Sequence, residues 1–182
     1  MSYLLESGTP LATYYAQTAP RVGETLSRRA IGTLDAVTIG RYAMTIGAAH
    51  RSHYEAEAAR SAGYPDVVAP PNMLAAIVEW GVGTPEARLL PDGTPLEGDM
   101  PLGEGELGLR VMGAGEEMEL VNPVTAGTEL VLETTLESVT PKQTRSGPCV
   151  FVTTLNTFSA ADGTVLNRNR RTVALRNPAE ES

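Results

Sequence analysis

At 182 residues and 19.3 kDa, with 42% hydrophobic and 20% charged residues, the chain suits one folded domain and is not compositionally disordered. Its formal net charge of −8, from 14 basic and 22 acidic residues, argues against a nucleic-acid partner, because phosphate neutralisation supplies most of that affinity. No apolar run approaches the roughly 18 residues of a membrane span, MSYLLESGTPLATYY lacks a secretory pattern, and the lone Cys149 excludes an internal disulfide or a multi-cysteine metal site, so a cytoplasmic domain is expected.

Residues 21 to 81 read as helices after one short strand. Asp35 suits an N-cap for a helix that sets Ile39, Tyr42, Ala43 and Ile46 on one face and ends at Gly47. Ser52-x-x-Glu55 has the form of a capping box and predicts a second short helix, EAEAARSA, stopped by Gly63. After Pro70-Pro71, NMLAAIVEW is apolar on nearly every side except Glu79; a helix apolar all round belongs inside a fold. Residues 81–105 hold six Gly and four Pro with no periodicity, which fits a covering loop or a plain connector.

From Glu106 the period changes to two. Leu130, Leu132 and Leu136 alternate with Glu133, Thr135 and Glu137, and CVFVTTLNTF turns at Ala161-Asp162-Gly163 into TVLNRNRRTVAL. Gly115 and Ser146-Gly147-Pro148 are read as further turns. Helices followed by consecutive hairpins predict an α+β fold, an antiparallel sheet with the buried helix at 71–80 to wrap.

GEGELG, at Gly103 to Gly108, has the spacing of a dinucleotide fingerprint but the wrong context: it lies between a loop and a strand, and Glu104 and Glu106 would face a pyrophosphate. Cys149 opens an alternating strand and reads as a buried thiol. The chemistry-bearing feature is the two histidines, His50 and His53, three apart on a helix–helix corner, where imidazoles suit acid–base work near neutral pH. With no third ligand at a suitable spacing, no metal site is expected. Arg168, Arg170 and Arg171 near the C-terminus form a basic patch fit for the phosphates of a carrier such as coenzyme A, or for guarding a strand edge.

RYAMTIGAAHRSHYEAEAARSAGYPDVVAPPNML resembles the N-terminal region of MaoC-like dehydratases and (R)-specific enoyl-CoA hydratases, in particular the FAS1-like dehydratase branch. Tyr42-Ala43, Ala59-Arg60, Gly63-Tyr64 and Asp66 to Pro71 carry the likeness, with NPVTAGTEL and SGPCVFVTT further on. It spans about Arg21 to Arg176 and implies the hot-dog fold: a long central helix wrapped by a curved antiparallel β-sheet, one domain over 1–182 with 1–20 as an N-terminal extension. It also implies a small-molecule acyl substrate, and a homodimer or a heterodimer with another hot-dog subunit. No cofactor is implied beyond coenzyme A or a phosphopantetheine arm carrying the substrate.

Against the family's G-D-x-N-P-x-H, the chain reads Gly47-Ala48-Ala49-His50-Arg51-Ser52-His53. The His is kept as His53, while Ala48 stands where the family has Asp. The resemblance makes His53 the base, with His50 in place of the missing acid and Glu55 a weaker substitute. It also implies oxyanion donors at the start of the buried helix, near Asn72 and Met73, and makes Tyr54 an aromatic beside His53. Three readings stay open: a hydratase or dehydratase on acyl thioesters; a lyase or cyclase on the same fold; and a non-catalytic acyl-binding partner of an active hot-dog subunit.

Overall fold

The structure is a computed structural model that describes residues 5–76, 85–89 and 107–178. Five antiparallel strands, β1 (Thr25–Thr33), β2 (Arg110–Leu120), β3 (Glu129–Thr144), β4 (Gly147–Ala160) and β5 (Val165–Arg176), form one sheet in the order β1-β3-β4-β5-β2. Helices α1 (Pro10–Thr18), α2 (Ala36–Thr45), α3 (Ala56–Ser61) and α4 (Met73–Ala76) accompany it. The α+β expectation is met. Only the first turn of the predicted central helix lies in the described residues; 77–80, the loop at 81–84 and 90–105, and most of GEGELG lie outside them.

The hairpins follow the turn chemistry in the sequence. Gly163 adopts φ +89 and donates its N–H to the Ala160 carbonyl, closing the turn between β4 and β5, while the Asp162 carboxylate accepts from the Thr164 N–H. Gly115 is not a turn. It lies within β2 at φ +150, where the register against β5 slips between Gly113 and Gly115, so it serves a β-bulge. β2 is exposed along almost its whole length, and among the described residues its outer edge has no strand partner.

Cross-strand register places Leu132, Phe158 and Asn167 in one row of the inner face and Thr134, Asn156 and Asn169 in the next. The second row is polar: Thr134 donates to Asn156 Oδ1 at 2.8 Å, and Asn169 Nδ2 donates to Glu116 at 2.6 Å. It parts two apolar clusters. One gathers Ile39, Met73, Leu74, Leu132 and Phe158 beneath α2 and α4; the other gathers Leu11, Tyr14, Leu136, Val152 and Leu175 beneath α1.

Residues 10–18 are thus part of the core and not an appendage: Leu11 and Tyr14 are 0% exposed. Thr9 caps α1 through the Ala12 N–H, Pro10 sits at its first turn, and Asn177 Oδ1 accepts from the Leu11 N–H at 2.8 Å, tying the two ends of the chain together. On α2 the Asp35 cap is as expected, accepting from the Thr38 N–H at 2.8 Å. Ile39 and Ala43 face the core, but Ile46 is 45% exposed, because α2 ends at Thr45 and the chain turns away.

Candidate active site

The histidine corner is held by a short strap. Val68 bridges Thr125, Ala69 N–H donates to the Val124 carbonyl, and Ala126 N–H donates to the Val67 carbonyl, so residues 67–69 are stitched to the loop before β3. The strap then grips the corner, because Val68 N–H donates to the Ser52 carbonyl and the Val68 carbonyl lies 2.7 Å from His53 Nδ1. A carbonyl only accepts, so Nδ1 of His53 carries a proton, and in the neutral ring Nε2 holds the lone pair.

His50 is held the other way round. It is the N-cap of a 3-10 turn, Arg51–His53, and its Nδ1 accepts from the Ser52 N–H at 3.3 Å and lies 2.7 Å from the Ser52 hydroxyl. A backbone N–H only donates, so Nδ1 is the acceptor and, in the neutral ring, Nε2 bears the proton. The two rings stand 6.2 Å apart between centroids, edge to face at 70°. Neutral imidazoles held by these contacts therefore present opposite Nε2 atoms, one a base and one a donor.

Both rings line a cleft of about 590 Å³. Its remaining wall comes from Val68 to Pro71, Leu74, Leu120 to Val124, Leu166 and Asn167, with Ala62 and Tyr64 at the α3 end. His53 is half-buried and His50 exposed. Apolar walls around a few convergent polar groups are what a small-molecule site needs. Among the described residues no three of His, Cys, Asp and Glu are grouped to hold a metal.

The other predicted positions fare differently. The capping box does not form: Ser52 is 3% exposed and turned to His50, α3 begins only at Ala56, and its N-cap Glu55 makes no side-chain cap. Glu55 instead pairs with Arg51, whose hydrogen bonds hold the carboxyl below the usual carboxylate range, and it does not line the cleft. Tyr54 also stays outside; it is 41% exposed and donates to the Ala48 carbonyl at 2.6 Å. Neither Asn72 nor Met73 lines the cleft, and of the two implied oxyanion donors the Met73 N–H is already engaged by the Pro70 carbonyl.

Arg168 and Arg170 lie on the face of β5 opposite Asn167 and Asn169, where Glu119 and Glu137 hold them at 2.9 and 2.8 Å; Arg171 is on the inner face, opposite Glu116 in register. The three do not form one patch. Sequence reasoning missed Ser52 as the partner of His50, Tyr64 as cleft wall, and Asn167.

A five-stranded antiparallel sheet of this order packed on helices is the arrangement of a hot-dog domain. The chain matches the family model of the FAS1-like dehydratase domain region over residues 21–168, and it belongs to that family. It is 30% identical over 104 residues to a UPF0336 protein of Streptomyces griseus, a match covering 56% of this chain and 59% of that protein, so it spans about three-fifths of that relative's length. The fold is shared with a chain of the ChsH1-ChsH2 complex of Mycobacterium tuberculosis (TM-score 0.69, 21% identity, 94% and 93% of the two chains). It is shared as well with a MaoC-like dehydratase from Rhodospirillum rubrum (TM-score 0.56, 24% identity, 86% and 92%). Among the described residues no helix is long and apolar enough to cross a membrane.

Proposed function

We propose that this chain is a hydratase or dehydratase of acyl thioesters, working with His53 as its proton-transfer group and His50 in the place of the family's Asp. The observation that carries the reading is the pair of imidazoles in one cleft, held so that His53 Nε2 is a free lone pair and His50 Nε2 a free donor.

In the hydration direction, His53 Nε2 takes a proton from water as the water oxygen bonds to Cβ of the enoyl thioester, and the Cα–Cβ π pair moves toward the carbonyl as an enolate. The imidazolium then returns that proton to Cα, leaving a 3-hydroxyacyl thioester and a neutral His53. His50 keeps its proton and donates a hydrogen bond to the water or hydroxyl oxygen. One imidazole is enough for the proton balance, which is how the reaction proceeds with Ala48 in the chain. Ala48 removes a charged acceptor but no proton that the cycle requires.

For its carrier, the reading takes coenzyme A or a phosphopantetheine arm. Binding a phosphate at Arg168 or Arg170 would require displacing Glu119 or Glu137. The exposed strand β2, with Val111, Met112 and Leu120 at its surface, is the edge on which a second hot-dog subunit would pair, in a homodimer or a heterodimer. Ala48 also favours a second reading, a non-catalytic subunit serving an active partner.

An absorbance assay of purified protein on a panel of 2-enoyl-CoA thioesters tests the proposal. Loss of enoyl absorbance in the wild type but not in His53→Ala supports the hydratase. No turnover on any thioester, with a native mass that shifts only when a second hot-dog chain is added, supports the partner subunit.

A further inference from the structure

Of the polar side chains lining the cleft, Asn167 is set apart by its hydrogen bonding. It is 1% exposed, yet among the described residues neither Nδ2 nor Oδ1 has a partner. Its neighbours in the cross-strand row, Phe158 and Leu120, offer no polar group, and Leu166 beside it is buried in the apolar cluster. The other cleft asparagine, Asn122, is exposed and spends its amide on the Val165 carbonyl at 2.7 Å. A buried amide with both edges empty costs stability, and a folded chain keeps one where a ligand completes it.

We infer that Asn167 is the group that reads the oxygens of the substrate, its Nδ2 donating to the thioester carbonyl and its Oδ1 accepting from the 3-hydroxyl. This rests on the thioester reading above and deepens it. A 3-hydroxyacyl thioester presents a carbonyl acceptor and a hydroxyl donor in a 1,3 relation, side by side like the donor and acceptor of one carboxamide. The Nδ2 bond also gives the enolate oxygen a donor from β5, the Met73 N–H being already bonded to Pro70. A saturated acyl thioester lacks the hydroxyl and leaves Oδ1 unpaired, so the site discriminates against it.

Calorimetric titration of the full-length chain tests the assignment, with His53→Ala as host so that the ligand is not turned over. The host is expected to bind 3-hydroxybutyryl-CoA about tenfold more tightly than butyryl-CoA. Adding Asn167→Leu, which keeps the branched shape but removes both donor and acceptor, should erase that preference and also weaken butyryl-CoA through the lost carbonyl bond. If Asn167→Leu does not fold by circular dichroism, Asn167→Asp carries the test: it keeps the size and an acceptor but loses the donor, and should weaken both ligands, so unchanged affinity for both would overturn the inference. A preference that survives in a folded Asn167→Leu chain overturns the inference and leaves the hydratase reading standing. A host that binds neither thioester overturns the hydratase reading, and this inference with it.

Discussion

Beneath α1 the inner face of the sheet is closed. Leu11, Tyr14, Leu136, Val150, Val152 and Leu175 are fully buried against one another, and Asn177 ties the helix down through the Leu11 N–H. Beneath α2 and α4 the same strands carry an apolar cluster of similar make-up, built around Ile39, Leu74, Leu132 and Phe158, but here a cleft opens and two imidazoles and an unpaired amide line it. The polar row through Thr134, Asn156 and Asn169 marks the boundary. Among the described residues the closed end leaves no room for a ligand and the other end does, so the proposed chemistry belongs to the second, and the apolar burial of the first offsets the cost of the second's unpaired groups.

Three changes would break or sharpen this contrast. His53→Ala, at the open end, has the largest expected effect: about 100- to 10,000-fold in kcat, the usual worth of a positioned acid–base group, with the melting temperature nearly unchanged. Leu11→Ala does the reverse, lowering stability to urea by about 2–5 kcal/mol through a cavity at the closed end while kcat per folded molecule stays the same. A matching loss of kcat would show that the two ends are coupled.

Asp35→Ala is the smallest. The Thr38 hydroxyl and N–H hold the Asp35 carboxyl below its ordinary value, so the folded state favours the carboxylate. That contribution is present above the unfolded carboxyl's pKa, about 3.9, and is lost as pH falls through the depressed folded value. The melting temperature of Asp35→Ala should therefore lie below wild type at pH 7, with the gap closing in acid.

The hairpins were legible because alternation and turn residues act locally: Leu130 and Leu132 are buried, Glu129 is exposed with Glu133 half-buried, and Gly163 turns where expected. The Asp35 cap was legible for the same reason. Helix α1 was not, because PLATYYAQT carries only a weak apolar stripe, and its stability comes from contacts with residues more than a hundred positions away. Ser52-x-x-Glu55 misled because a capping box is a local pattern, and here His50 and Arg51 outcompete the helix for both side chains.

At the site, His50 and His53 stood out by their spacing, but their opposite orientation depends on Val68, a tertiary contact no spacing encodes. Asn167 had a usable signal: counting in twos from the buried Val173 and Leu175 puts it and Asn169 on the inner face, while Arg168 and Arg170 fall on the other. LNRNRR read as one polar run hides that split.

Long-range ¹H–¹⁵N NMR of the imidazole nitrogens, at a pH where both rings are neutral, tests the central claim most directly. A proton is expected on Nδ1 of His53 and on Nε2 of His50, each assigned by loss of its signals in the corresponding Ala variant. A proton on Nε2 of His53 would contradict it, since the cleft would then hold no imidazole base at that position.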